Sequence, residues 1–225
     1  MRLFGKSLIA VSLLATFTVA HAGVIVGATR VIYQAGSKEG TLSVKNPEKD
    51  TPYMIQSWVE NASNNQQTKS FVITPPIFKL DPGQETNLRI VYMGSELPKD
   101  RESVFWLDVK STPGTIKSEE NQLQVSIKSR LKLFYRPAGI QGNAAEAYKH
   151  LKFSRQGNQL TVNNPTPYYV SFYSVKIGGN EIKDAGMVAP LSNASWPLNG
   201  AAASKVTWQA ITDFGDISAV ANGQI

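Results

Sequence analysis

Residues 122–137, QLQVSIKSRLKLFYRP, show a regular alternation of apolar and polar positions. The apolar members are Leu123, Val125, Ile127, Leu131, Leu133 and Tyr135. The positions between them include no acid, and their basic members are Lys128, Arg130, Lys132 and Arg136. A period of two predicts a β-strand, here over fourteen residues from Gln122 to Tyr135. Strands usually run about 5–6 residues and exposed strands invite aggregation, so this long basic strand needs an explanation.

The sequence before residue 122 consists of short β-branched or aromatic runs separated by clusters of Gly, Asn, Asp and Pro. The runs lie at 23–34, 40–46, 52–60, 69–75, 79–93 and 103–111. Because such clusters mark turns, the pattern predicts about seven strands at short spacing. This arrangement is typical of an immunoglobulin-like β-sandwich, which we place at residues 23–140.

The alternation breaks after Pro137 and resumes near residue 151. The stretch between, AGIQGNAAEAYKH, is rich in small residues and predicts a linker with one short helical turn. Farther on, the pairs Gly157-Asn158 and Gly178-Gly179 suit tight hairpin turns. We therefore predict a second, smaller β-sandwich domain at residues 144–225, and an all-β fold class for the whole chain.

The first 22 residues have the pattern of a secretory signal peptide. Two basic residues, Arg2 and Lys6, precede the apolar run SLIAVSLLATFTVA, and Ala20-His21-Ala22 provides an A-x-A cleavage site. The run is short for a membrane-spanning helix, and no later segment is apolar enough to span a bilayer. The sequence predicts an exported chain without membrane insertion, beginning at Gly23 after cleavage.

Composition bounds the exported chain further. Without residues 1–22 it has 21 basic and 17 acidic residues, a net charge of +4 that is typical of an ordinary solvated surface. It contains no cysteine, so an oxidising compartment would permit disulfides that this chain does not use. Stability must come from hydrophobic cores, and 203 residues suffice for two domains of about 100 each.

The residues do not favour an enzyme. His150 is the one histidine outside the signal peptide, and a Ser-His-Asp arrangement would depend on it alone. Zinc sites usually need Cys and His in sets, and no glycine cluster matches a phosphate-binding loop. Glu119 and Glu120 lie in a polar loop, where a solvated turn is expected. We predict a non-catalytic protein without a metal or cofactor.

One feature is compatible with nucleic-acid binding, because KSRLKLFYR places basic side chains between aromatic and apolar ones. Proteins that bind single strands use such surfaces. Export from the cytoplasm, the modest charge and the lack of a nucleic-acid motif argue against this class. We expect no nucleic-acid partner.

Several segments match one known family in order along the chain. They are TRVIY at 29–33, TPPIFKLDPGQ at 74–84, LPKDRESVFWLDVKSTP at 97–113, RLKLFYRP at 130–137 and ITDFG at 211–215. On these segments the chain resembles the PapD-like periplasmic chaperones of the chaperone–usher pilus pathway. It departs from their pattern at Asp108, where the family usually has Asn, and at Thr112, where an aliphatic residue is usual. The short, cysteine-free segment 112–121 resembles the family's short-loop branch.

The resemblance implies two immunoglobulin-like domains arranged as an L with a basic cleft between them. It also implies that the seventh strand of the first domain is lent to a pilus subunit by β-augmentation. The lent side chains would be Leu123, Val125 and Ile127, whose full burial is worth roughly 5–9 kcal/mol before ordering costs. From periodicity alone, the alternative is that these residues face the protein's own core.

The resemblance places Arg30 and Lys132 in the cleft as the anchor for the subunit's terminal carboxylate. Two cations that converge on one carboxylate would form charge-assisted hydrogen bonds and fix the register of pairing. Lys132 has the opposite parity to Ile127, so its side chain should leave the other face of the strand unless a bulge intervenes. The sequence leaves this question open.

The resemblance further implies an interdomain ion network of Glu102, Arg136 and Asp213, with ordinary surface pairs as the alternative. The predicted function is a periplasmic chaperone that binds, folds and caps pilus subunits and delivers them to an outer-membrane usher. The sequence leaves open whether the free protein pairs with itself. The second hypothesis is an exported structural or adhesive fibre component, which would not require the matched cations of the cleft.

Overall fold

A computed structural model describes residues 23–94, 96–114, 123–198 and 204–225. The predicted signal peptide and Gln122 lie outside these residues. Within them nearly every regular element is a β-strand. No helix in this part of the chain is long and apolar enough to cross a membrane.

The described residues of the first sandwich form nine strands in two sheets. They are β1 (Ile25–Val26), β2 (Arg30–Gln34), β3 (Gly40–Lys45), β4 (Tyr53–Asn61), β5 (Phe71–Thr74), β6 (Ile77–Leu80), β7 (Glu85–Tyr92), β8 (Ser103–Pro113) and β9 (Ile127–Arg136). One sheet has the order β1-β3-β7-β5 and the other the order β2-β9-β8-β4-β6. Alternate residues of each sheet face inward, which is how a period of two builds a two-layer core.

The core of the first sandwich draws on both sheets. Fully buried aliphatic side chains from the two layers include Val44, Ile55, Leu88, Ile90, Leu107 and Leu133. At one end, four aromatic rings pack together, with centroids of neighbouring rings 4.5–6.4 Å apart: Tyr33, Phe71, Tyr92 and Tyr135. The layers are therefore held by continuous apolar packing without any disulfide, as the composition requires.

A 3₁₀ helix, Ala144–His150, leads into the second sandwich, and the Asn143 side chain caps it by accepting a hydrogen bond from the Ala145 amide at 2.9 Å. In the part of the chain that the structure describes, eight strands follow: β10 (Lys152–Gln156), β11 (Gln159–Asn164), β12 (Val170–Ile177), β13 (Asn180–Glu181), β14 (Met187–Val188), β15 (Ser192–Pro197), β16 (Lys205–Ile211) and β17 (Ala221–Gln224). They form the sheets β10-β11-β15 and β13-β12-β16-β17, with β14 paired to β12. Both predicted glycine turns are present: Gly157 lies between β10 and β11, and Gly178-Gly179 between β12 and β13, all with positive φ.

The predicted fold class, all-β with two immunoglobulin-like sandwiches, is confirmed. Each sandwich has a separate core: the buried cluster of the first runs from Val31 to Leu133 and that of the second from Ala147 to Ala210. This separation supports the domain limits 23–140 and 144–225, which stay predictions.

The prediction of one regular strand from Gln122 to Tyr135 was too long at its beginning. The pairing of β9 with β8 ends at Ile127 opposite Ser111, and residues 123–126 are in no strand. Within the described residues, hydrogen bonds from side chains of this segment hold it beside the end of β8. Thr112 and Ser126 share a hydroxyl hydrogen bond of 2.9 Å, and Gln124 Nε2 donates to the carbonyl oxygen of Pro113. A strand needs a neighbour to pair with, and these four residues have none in the described part of the chain.

Candidate functional site

The three apolar side chains proposed for donation are exposed. Leu123 is 91% exposed, Val125 59% and Ile127 54%. Leu133 has the same parity and is fully buried in the core. The alternative, in which all of these side chains face the protein's own core, therefore does not describe the first part of the segment. The apolar alternation continues past the end of the core into solvent.

The backbone beside these side chains is open on one edge. On one side β9 pairs with β8 from Ile127 to Tyr135. On the other side it pairs in parallel with β2, but only over Lys132–Arg136. No strand among the described residues pairs with 127–131 on that second side, and we call this stretch the open edge. A row of unpaired backbone groups is a template for another strand.

Arg30 and Lys132 are brought together by the parallel pairing of β2 with β9, in which they lie directly opposite each other. The β8–β9 register shows no shift from Ser103 to Ser111, so no bulge intervenes. Lys132 therefore leaves the sheet face opposite to that of Ile127 and Leu133. That face meets the second sandwich, because Lys132 Nζ donates to Ser171 Oγ at 3.1 Å. The cleft therefore lies on the sheet face from which Lys132 projects, and the opposite parity of Lys132 and Ile127 needs no bulge.

The two cations are half-buried, and among the described residues no acidic side chain lies within ion-pair distance of either. Arg30 Nη1 donates to the carbonyl oxygen of Ile211 at 3.2 Å, while its Nε is buried and has no hydrogen-bond partner among the described residues. Neither cation forms an ion pair within the part of the chain that the structure describes. Burial lowers the pKa of Lys132, and the charge of Arg30 lowers it further. Burial also lowers the pKa of Arg30, although the negative charge of Asp213 acts in the opposite direction. An anion placed here would relieve both penalties.

Glu102, Arg136 and Asp213 are in direct contact. Arg136 Nε donates to Glu102 Oε1 at 2.6 Å, and its two Nη atoms donate to the carboxylate oxygens of Asp213 at 2.7 and 3.0 Å. Glu102 Oε2 also accepts a hydrogen bond of 2.8 Å from the Tyr169 amide. Burial alone would lower the pKa of Arg136, but the bonds and charges of both acids outweigh it and raise that pKa. The network joins β8 and β9 to the second sandwich.

Close packing supports the same junction. The ring centroids of Phe134 and Tyr169 lie 5.6 Å apart, and the Arg136 guanidinium lies 5.3 Å from the centroid of the Tyr168 ring. Gly215 has φ of +91°, and a Cβ at this position would come within 2.6 Å of Thr29 Oγ1. A glycine is needed there for backbone conformation and for the close approach of the two sandwiches.

Sequence reasoning missed the partners that the second sandwich supplies to the cations. Ser171 lies within β12, and Ile211 contributes only its carbonyl oxygen. A serine in a strand and a main-chain carbonyl carry no sequence signal. Asp108 departs from the family pattern, but its side-chain contacts could not be predicted from the sequence.

Comparison with known proteins assigns the family. Residues 23–141 match the family described as "Pili and flagellar-assembly chaperone, PapD N-terminal domain", and residues 146–221 match "Pili assembly chaperone PapD, C-terminal domain". The chain belongs to the PapD family of pilus assembly chaperones. The predicted family is thereby confirmed.

Individual relatives agree with this family over most of their length. The chain is 43% identical to the probable fimbrial chaperone LpfB of Escherichia coli O157:H7 over 211 residues, which cover 92% of this chain and 90% of the relative. It is 42% identical to the chaperone protein FimC of Escherichia coli K12, over 88% of this chain and 83% of the relative.

Two solved structures are similar in fold and sequence. One is a Salmonella enterica complex of SafA pilin with the SafB chaperone, in which the matching chain is 35% identical with a TM-score of 0.84 and coverage of 90% and 96%. The other is the Escherichia coli chaperone DraB, 36% identical with a TM-score of 0.79 and coverage of 90% and 97%. The family members thus share the two-sandwich architecture described above.

Proposed function

We propose that this protein is a periplasmic chaperone that binds, folds and caps pilus subunits through β9 and delivers them to an outer-membrane usher. One observation carries the proposal. An exposed apolar segment and an open strand edge are continuous with a half-buried pair of cations that form no ion pair with any described residue. A strand that ends in a carboxylate has the complementary features: backbone groups to pair, and a negative charge at its terminus.

The cation pair would bind first to the terminal carboxylate of the subunit. Arg30 and Lys132 are opposite each other in the β2–β9 pairing, so both can contact one carboxylate. Charge-assisted hydrogen bonds to this group would offset the cost of half-burying two cations. The anchor would also fix the register of the incoming strand, because a slip of one residue exchanges its two faces.

Strand pairing would then proceed along the open edge toward residue 123. Ile127 lies five residues from Lys132, or roughly 16 Å at strand spacing. The backbone of 127–131 would supply hydrogen bonds to the subunit strand. The side chains of Ile127, Val125 and Leu123 would enter the subunit's groove, which completes its core by β-augmentation.

The ion network would hold the second sandwich in place beside the anchor. Arg136 is 13% and Glu102 2% exposed in their side chains, so these charges are far from ordinary surface pairs. Removing one member would leave a buried charge without compensation. The second sandwich also supplies Ser171 and the Ile211 carbonyl oxygen, so its position sets the shape of the anion site.

Export through residues 1–22 and a non-catalytic mode of action belong to this proposal. The binding steps above use hydrogen bonds, charge and apolar burial, and require neither bond chemistry nor a metal or cofactor. Similarity to named fimbrial chaperones favours this function over the alternative of a structural or adhesive fibre component.

Capture of a subunit tests the proposal. A tagged chain would be purified from the periplasm of its own bacterium under conditions of piliation, and the co-purified proteins identified by mass spectrometry. We expect a pilin with the wild-type chain and with Lys183→Ala, an exposed lysine in the second sandwich, but not with Lys132→Ala. Equal recovery with Lys132→Ala would count against the anchor, and no pilin with the wild-type chain would contradict the function.

A further inference from the structure

Asp108 is a buried carboxylate that the binding steps above do not use. It lies within β8, directly opposite Arg130 of β9, and its side chain is fully buried. A buried charge requires partners that offset its lost hydration. In the described part of the chain, its charged partners both come from β9, the strand with the open edge.

These partners are Arg130 and Lys128. Arg130 Nε and Nη2 donate to the two carboxylate oxygens of Asp108 at 2.8 and 2.9 Å, and Lys128 Nζ lies 3.6 Å from Asp108 Oδ2. Glu60, on β4, also accepts a hydrogen bond from Arg130. The acids lie on β8 and β4, so both cationic side chains are directed across the sheet.

Two tryptophans extend the same arrangement. Lys128 Nζ lies 5.5 Å from the centroid of the Trp58 ring, and the guanidinium carbon of Arg130 lies 5.5 Å from the centroid of the Trp106 ring. Trp106 is on β8, and Trp58 is on β4, two strands away from β9. Cations are attracted to aromatic faces at this distance. Both long side chains therefore lie over the interior of the sheet and away from its edge.

This direction matters because Lys128 and Arg130 belong to the open edge. Long cationic side chains on an edge strand are a common means of discouraging pairing with another strand. Without a partner over the sheet, their flexible stems would be free to cover the unpaired backbone groups of 127–131. A carboxylate one strand inward holds them back and neutralises charge beside the edge.

We propose that Asp108 is a positioning residue that draws Lys128 and Arg130 over the sheet and so keeps the edge of β9 open for a subunit strand. The inference deepens the proposed function and rests on it. Asp108 itself would not touch the subunit. Its effect would be on the rate at which a strand can pair, because an obstructed edge must clear before hydrogen bonds form.

The first measurement is the rate of complex formation with a denatured pilin diluted into the chaperone. The probes are the pilin recovered with the tagged wild-type chain and SafA pilin. Asp108→Asn removes the charge and keeps a side chain of similar size. We expect its association rate to fall roughly five- to tenfold with a pilin that binds the wild-type chain. Asp50→Asn, an exposed residue of the same sandwich, is the matched control and should retain the wild-type rate. An unchanged rate for Asp108→Asn would overturn the inference.

Removal of the cations separates positioning from a purely structural role. The triple variant Asp108→Asn, Lys128→Gln, Arg130→Gln removes both cationic side chains of the open edge together with their carboxylate partner. Its rate should recover to within about twofold of the wild type. If Asp108 only stabilised the sandwich, deleting its partners would not restore binding. A triple variant as slow as Asp108→Asn would therefore overturn the inference.

A second pair of variants applies if Asp108→Asn does not fold. Arg130→Lys keeps the charge but loses the bidentate contact with the carboxylate, whereas Arg130→Gln removes the charge. Positioning predicts faster association for Arg130→Gln than for Arg130→Lys, and the reverse order would overturn it. Lys132→Ala in the same assay tests the anchor independently. If the wild-type chain forms no complex with either pilin, the proposed function fails, and the role of Asp108 with it.

Discussion

The two halves of the segment 123–136 have one alternating pattern and two environments. Lys132–Arg136 lies between β2 and β8, and Leu133 in this half is fully buried. Residues 123–131 have at most one neighbouring strand among the described residues, and the apolar side chains at their beginning are exposed. The first environment gives stability, and the second leaves apolar surface and backbone groups free for a partner. The following predictions test that division.

In the half that lies between two strands, Lys132–Arg136, substitution of Arg136 should have the largest effect on stability. Arg136→Ala leaves Glu102 buried without its cation, which should lower the free energy of unfolding by about 3–5 kcal/mol. The measurement is urea unfolding. Arg89→Ala removes one member of the exposed Arg89–Glu39 pair and should cost about 0–1 kcal/mol. Equal losses in the two variants would show that the network is an ordinary surface feature.

Truncation of one apolar residue in each half compares the environments directly. Leu133→Ala should lower the free energy of unfolding by about 2–5 kcal/mol, because it leaves a cavity in the core. Ile127→Ala should cost less than about 1 kcal/mol, because the side chain is more than half exposed. Thermal or urea unfolding measures both variants. A similar cost at both positions would contradict the division.

In the other half, residues 123–131, a substitution should weaken binding of a subunit. Val125→Ala removes apolar surface that the subunit would bury, and should weaken pilin capture about tenfold without changing the unfolding midpoint. Competition between tagged wild-type and variant chains for one pilin would measure the ratio. Val72→Ala, at an exposed valine of β5, is the matched control with an expected ratio near one. If Val125→Ala captured pilin as well as the wild-type chain does, Val125 would not belong to the lent segment.

The anion site should make capture sensitive to alkaline pH. Burial holds the pKa of Lys132 below its usual 10.5, so the free site loses this charge before an exposed lysine would. A bound carboxylate favours charged Lys132; affinity should thus be constant well below the lowered pKa and fall by a few-fold as pH rises through it. Complex dissociation between pH 7 and 10 measures this effect. Lys132→Arg should abolish the pH dependence of affinity in that range. If Lys132→Arg had the same pH profile as the wild-type chain, a group other than Lys132 would cause the dependence.

Periodicity was sufficient for the fold class and for the elements on which the site lies, but not for their environments. Ile127, Leu131 and Leu133 have one parity and one chemical type, yet they are 54%, 5% and 0% exposed. The difference arises because the opposing sheet covers only part of the strand, which is a long-range property. A local sequence pattern cannot predict where along β9 the opposing sheet ends.

The site shows the same limit. The motif resemblance named Arg30 and Lys132, and the parity of Lys132 could be read from the sequence. The covering of that face by Ser171 and by the Ile211 carbonyl oxygen depends on how the two sandwiches meet. Likewise, Asp108 and Arg130 are 22 positions apart in sequence, and only their register across β8 and β9 makes them a pair.

The parallel pairing of β2 with β9 also has a consequence for biogenesis. Arg30 comes near the start of the first sandwich and Lys132 more than a hundred positions later, so the proposed anchor forms only after β2 and β9 have paired. A chain in which this pairing had not yet formed could not present the two cations together to a subunit. Competence for assembly would therefore arise only after this chaperone has completed its own folding.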